Sequence, residues 1–195
     1  MPRHVAFLRA INVGGHVVKM DRLRQLFEAL GFSGVATHIA SGNVHFSARS
    51  AGARSLEAKI EAALETALGY EVATFLRTPA ELAAIEAYEA FPAAEAAASH
   101  GVYVGFLKEP LAADQVRLVE GLGTPNDVFA FHGREIHWLC RERSEKSIAL
   151  PGKLEKSLRL RATFRNVTTV KALVAQWGRP QSGPPEARSR SRRGG

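Results

Sequence analysis

What most constrains this chain is an order of hydrophobic periodicities that it runs through twice. His4 to Ile11 alternates as a strand, and Leu23, Leu26, Phe27 and Leu30 then recur at helical spacing before Gly31. Val35 to Ile39 and Val44 to Ser47 are short strand patterns around Ala40-Ser41-Gly42-Asn43, a hairpin signal. Leu56, Ile60, Leu64 and Leu68 give a second amphipathic helix ending at Gly69, and Val72 to Arg77 is a fourth strand. Strand, helix, strand, strand, helix, strand is the split βαβ, or ferredoxin-like, order. Thr78-Pro79-Ala80-Glu81 then combines an N-cap, a proline at the first helical position and a glutamate three residues after the cap. A further helix therefore starts there and runs towards Tyr88.

Beyond Ala93 to Ser99, a small polar stretch read as a linker, the order resumes. Val102 to Leu107 is a strand, Pro110 to Leu122 a helix, and Val128 to His132 with Glu135 to Cys140 a hairpin around Gly133-Arg134. In that register Phe129 and Phe131 share a face with Ile136 and Trp138, and His132 and His137 are expected on opposite faces. Lys153 to Leu158 is a short helix, Ala162 to Arg165 a strand, and Thr168 to Trp177 a closing helix. The expected fold class is α+β, with two ferredoxin-like (βαββαβ) halves in tandem and antiparallel sheets carrying helices on one face. The expected division is an N-terminal half with its extra helix at 1–92, a linker at 93–99, a C-terminal half at 100–177 and a disordered basic tail at 178–195.

This topology gives two separated polar loops a common address. In a ferredoxin-like sheet the first and third strands are antiparallel neighbours, so the end of one lies beside the start of the other. Arg9, Asn12, Gly14, Gly15 and Lys19 are thereby expected beside Ser41, Gly42 and Asn43. The glycines allow positive φ and close backbone approach, the asparagines donate and accept, and Arg9 and Lys19 supply charge. Such a cluster suits an anion or phosphate cradle. It equally suits a tight turn in which Asn43 takes a left-handed conformation and Arg9 pairs with a carboxylate.

Net charge is +7, but the five arginines from Arg179 onward, set against Glu186, account for +4 of it, leaving +3 for the body. The segment from Pro180 to Gly195 is rich in Pro, Gly, Ser and Arg and has too little apolar surface to offset its ordering entropy. It reads as a solvated terminus, or as a weak attractor of phosphate polymers. Cys140 is the only cysteine, which excludes an intrachain disulfide. The start of the chain has no secretory pattern and no later run approaches the length of a membrane span, so a cytoplasmic protein without membrane partners is expected. If Ile39 pairs with Val44, His38 faces His45, but no third ligand is near and no metal is expected. No cofactor is expected either: Gly14-Gly15 before Lys19 lacks the phosphate-loop spacing, and Ser41 lacks a nucleophile elbow.

The runs Leu8-Arg9-Ala10-Ile11-Asn12-Val13-Gly14-Gly15, Ser41-Gly42-Asn43-Val44-His45-Phe46 and Thr163-Phe164-Arg165-Asn166 resemble the bacterial family of unknown function numbered 1697. Met20, Gly31-Phe32 and Phe91-Pro92 lie between them, and the likeness extends to Trp177. It implies a two-subdomain α+β protein and adds Arg165 and Asn166 to the candidate site, with no activity attached. This chain departs from the family's asparagine-tryptophan-asparagine-threonine ending, having Asn166-Val167-Thr168-Thr169, and from its serine-lysine step, having Ser144-Glu145-Lys146-Ser147. Three functions fit. One is a module that holds a phosphate-bearing nucleotide or RNA at the polar cluster. Another is a small enzyme using the same cleft, with a histidine or carboxylate within reach of Ser41. The third is a structural or interaction protein whose motifs only lock the two halves together.

Overall fold

The structure, a computed structural model, describes residues 1–12, 15–49 and 52–178. Gly14 and the tail beyond Gly178 lie outside the described residues. The N-terminal half runs β1 (Arg3–Leu8), α1 (Met20–Ala29), β2 (Ser33–His38), β3 (Asn43–Ser47), α2 (Ala53–Leu68), β4 (Thr74–Arg77) and α3 (Pro79–Ala87). A short helix, α4 (Ala93–Ala98), occupies the stretch read as linker. The C-terminal half follows with β5 (Gly101–Phe106), α5 (Ala113–Glu120), β6 (Asp127–His132), β7 (Glu135–Cys140), α6 (Glu145–Ile148), α7 (Leu150–Leu158), β8 (Thr163–Asn166) and α8 (Val167–Leu173). A π-helical turn, Val174–Gly178, closes the described chain.

The two antiparallel sheets are ordered β2-β3-β1-β4 and β6-β7-β5-β8, one ferredoxin-like order repeated. In the first half, Leu23, Phe27, Ile60 and Leu64 of α1 and α2 pack on Ala6, Leu8, Val44 and Phe46. In the second, Val119, Leu150, Leu154 and Leu158 cover Ile136 and Trp138. Helix α3 starts with the expected capping box: Thr78 Oγ1 accepts from the Glu81 amide, and Glu81 Oε2 accepts from the Thr78 amide. It does not add to the first half's helical layer. Its Leu82 and Ile85 join Val5, Phe7 and Phe75 on the other face of the sheet, together with Val104, Phe106, Val170, Leu173 and Trp177 of the second half. That third core joins the halves.

Two register expectations need correction. Thr37 pairs with Val44, His38 with Asn43 and Ala36 with His45, so His38 does not face His45. The reason is Ile39, whose φ of +48° takes it out of the strand and into the turn, alongside a ladder irregularity between Ser33 and Ala36. In the second hairpin Phe129 pairs with Trp138 and Phe131 with Ile136 as expected, but His132 and His137 share a face. His132 pairs with Glu135, and His137 lies two residues along the same strand.

Candidate functional site

The end of β1 and the β2–β3 turn meet as the topology requires. The Leu8 amide donates to the Gly42 carbonyl at 2.8 Å. Gly42 has φ +77°, and a Cβ there would come within 2.9 Å of Ile11 Cβ and 3.1 Å of Leu8 Cβ, so a side chain is excluded. Ala10 and Asn12 also have positive φ, at +63° and +55°. Asn12 holds the loop by its side chain: Oδ1 accepts from the Val18 amide at 2.6 Å, while Nδ2 donates to the carbonyls of Ala40 (2.8 Å) and Val18 (3.2 Å). One amide thus ties the loop after β1 to the hairpin turn.

Asn43 is fully buried, at 0% exposure. Its Nδ2 donates to the His38 carbonyl and to Ser41 Oγ, and its Oδ1 accepts from Arg165 Nε at 2.7 Å. Arg165 comes from β8 of the other half. Its Nη2 donates to the carbonyls of Leu8 (2.8 Å) and Ser41 (2.6 Å), and its Nη1 to Thr163 Oγ1 and the Phe164 carbonyl. A guanidinium has five N–H donors, and all five are used. Burial, with no carboxylate among these acceptors, lowers the Arg165 pKa to about 10, which leaves it charged at neutral pH.

The remaining candidates divide. Arg9 Nε and Nη2 form a bidentate pair with Glu155 of α7 at 2.6 and 2.7 Å, and Glu155 Oε1 also accepts from the Ala162 amide. Gly15 has φ +88° with open space around it, and Lys19 is exposed at the start of α1 with no ion pair among the described residues. Asn166 stands apart from the cluster, capping α8 by accepting from the Thr168 amide and hydroxyl. Ser41 Oγ accepts from Asn43, and no histidine or carboxylate bonds to it among the described residues. Nor does any group of three His, Cys, Asp or Glu able to hold a metal occur among them.

A second arginine, which no sequence motif singles out, repeats the arrangement from the opposite side. Arg77 of β4 is 1% exposed and enters the C-terminal half. Its Nε donates to Glu135 at 2.6 Å, its Nη2 to the carbonyls of Leu107 and Arg134, and its Nη1 to the Leu76 carbonyl. The registers match position for position. Arg77 pairs with Val5 and Arg165 with Val104, while Phe7 pairs with Asn43 and Phe106 with Glu135. Phe7 and Phe106 stack at 3.8 Å, each beneath the arginine from the other half's last strand. The two halves thus meet reciprocally about the stacked rings, although the Arg165–Thr163 bond has no counterpart at Arg77. The signal in sequence was a charge closing each apolar fourth strand, in Phe75-Leu76-Arg77 and Phe164-Arg165.

Fold and site together define a tandem ferredoxin-like protein whose two halves exchange buried arginines. The model for a family described as protein of unknown function, DUF1697, matches residues 1–137, and the chain belongs to that family. The solved structure of the conserved bacterial protein SP0830 from Streptococcus pneumoniae is similar, with a TM-score of 0.71 and 27% sequence identity. The alignment covers 92% of this chain and 99% of that one. Comparison with curated proteins gives no match. No helix among the described residues is long and apolar enough to cross a membrane.

Proposed function

We propose that the motif residues act as an interlock, so that the protein works as a rigid two-part interaction module without chemistry at the polar cluster. The observation that supports this reading is the saturation of Arg165, whose every N–H is committed to Asn43, Thr163 and three backbone carbonyls. Arg9 is likewise neutralised by Glu155. A phosphate group arriving at Arg165 would have to displace bonds that hold the halves together. The competing reading, a phosphate-bearing nucleotide or RNA held by the same loops, draws on Lys19 and Gly15, which stand exposed on one loop.

One set of variants separates the two. Under the interlock reading, Asn43→Ala and Arg165→Ala each cost about 3 kcal/mol, because the partner groups stay buried and unpaired, and both lower the melting temperature. Lys19→Ala leaves that temperature unchanged. Titration with inorganic phosphate, ATP and a short RNA then gives no saturable binding that depends on Arg9 or Lys19. Saturable binding lost in Lys19→Ala or Arg9→Ala overturns the interlock as the whole role of the cluster.

A further inference from the structure

A cavity of about 640 Å³, lined by neither Arg77 nor Arg165, lies where the α3–α4 connection passes over β5, β7 and α8. Ala93, Ala96, Val102 and Val104 give it apolar walls, and His137 of β7 lines it. The charged residues around it, Glu86, Glu89 and Lys171, are exposed, so its buried part carries no formal charge. Its size is that of a small-molecule site, and like many such sites it lies on the seam between two halves of a fold.

His137 is the unusual member. It is 3% exposed, and burial, with His132 adding its repulsion, lowers its pKa to about 4, so the imidazole is neutral at physiological pH. Its Nε2 is buried with no hydrogen-bond partner among the described residues. Buried polar groups are ordinarily satisfied, because water was removed from them on folding. Tyr88, at the end of α3, lays its ring against both His132 and His137, at centroid distances of 4.3 and 4.9 Å. The imidazole is thus packed against Tyr88 while its Nε2 stays unpaired.

We propose that this cavity binds a small, uncharged, mainly apolar molecule bearing a hydroxyl group, a compound of the phenol class, which hydrogen-bonds to the His137 imidazole. A hydroxyl both donates and accepts, so it can pair with Nε2 in either tautomer, donating to it when it lacks the proton and accepting from it when it carries one. A carboxylate or ammonium would have to enter a space with no buried counter-charge, which desolvation opposes. The alanine and valine walls take the apolar body.

The full chain is titrated with phenol, toluene and benzoate while the imidazole resonances of His137 are followed by NMR. Phenol is expected to give a saturable shift, and toluene and benzoate at least tenfold weaker binding. His137→Phe keeps a ring against Tyr88 and removes the nitrogens; it should weaken phenol at least tenfold and leave toluene unchanged. Should that variant fail to fold, Ala96→Leu narrows the cavity from its half-buried helical wall and should weaken phenol without altering the imidazole. No saturable response at millimolar phenol, equal binding of phenol and toluene, or undiminished phenol binding in whichever variant folds overturns the proposal.

Discussion

Arg165 and Arg77 occupy equivalent positions, yet their charges are met differently. Arg77 faces the Glu135 carboxylate, whereas Arg165 is solvated by an amide, a hydroxyl and three carbonyls. An arginine can be held in this way because its planar fork spreads one charge over five donors, which the three donors of a lysine ammonium cannot match. A buried base without partners behaves in the opposite sense, and His137 supplies the test. Its folded pKa of about 4 lies below the ordinary 6.5. Above pH 6.5 the imidazole is neutral in both the folded and unfolded chain, and its contribution to stability is complete. As the pH falls from 6.5 towards 4, the unfolded chain takes a proton that the folded one refuses, so stability is lost, by up to roughly 3 kcal/mol. Denaturant melts at pH 7 and pH 4.5 should show that loss reduced in His137→Phe. Burial also lowers the pKa values of His4 and His45, so part of the slope remains. An identical slope in variant and wild type would count against a buried, neutral His137.

At the scale of elements, the hairpin between β2 and β3 shows what could and could not be read in advance. Alternation placed both strands, and antiparallel neighbourhood of β1 and β3 placed the Ser41 turn beside Arg9. The pairing itself was two residues off, because a turn's length is set by backbone dihedrals and not by side-chain pattern: Ile39, apolar and β-branched, reads as strand yet has φ +48°. The burial of Arg77 is invisible in sequence for a related reason. An arginine at the end of an apolar run looks like a strand meeting solvent, and only the packing of a second sheet on the first buries it. The family-like run around Arg165 drew attention to that residue, but which acceptors it meets depends on the tertiary contact between halves. The turn carries its own prediction. Gly42→Ala must adopt a positive φ and push its Cβ against Ile11 and Leu8, at a cost of about 2–4 kcal/mol. Gly15→Ala has the strained φ without the collision and should cost about half as much or less, readable as the smaller fall in the denaturation midpoint.

For the whole molecule, the interlock reading predicts that the reciprocal arginines and the shared core make two small sheets unfold as one unit. Each half taken alone would expose Phe7 or Phe106 and strip its inward-facing arginine of the acceptors in the other half, leaving Arg77 only the Leu76 carbonyl and Arg165 only Thr163 and the Phe164 carbonyl. Further ion pairs bridge the halves at the surface, Arg161 with Glu71, Lys108 with Glu61 and Arg134 with Glu81, but as exposed or half-exposed pairs they contribute little. The two tryptophans are placed to distinguish the parts: Trp138 is buried in the core of the C-terminal half and Trp177 in the core between halves. In single-tryptophan variants of the otherwise unaltered protein, fluorescence from either residue should report one denaturation midpoint, as an all-or-none transition requires. Replacing both arginines, as Arg77→Met with Arg165→Met, fills their volume but removes the directional bonds. It should separate the transitions, with Trp177 reporting loss of the interface at lower denaturant than Trp138 reports unfolding of its own half. Coincident transitions in the double variant would place the cooperativity in the stacked Phe7–Phe106 core alone, and reduce the arginines to satisfying buried carbonyls that the fold itself brings together.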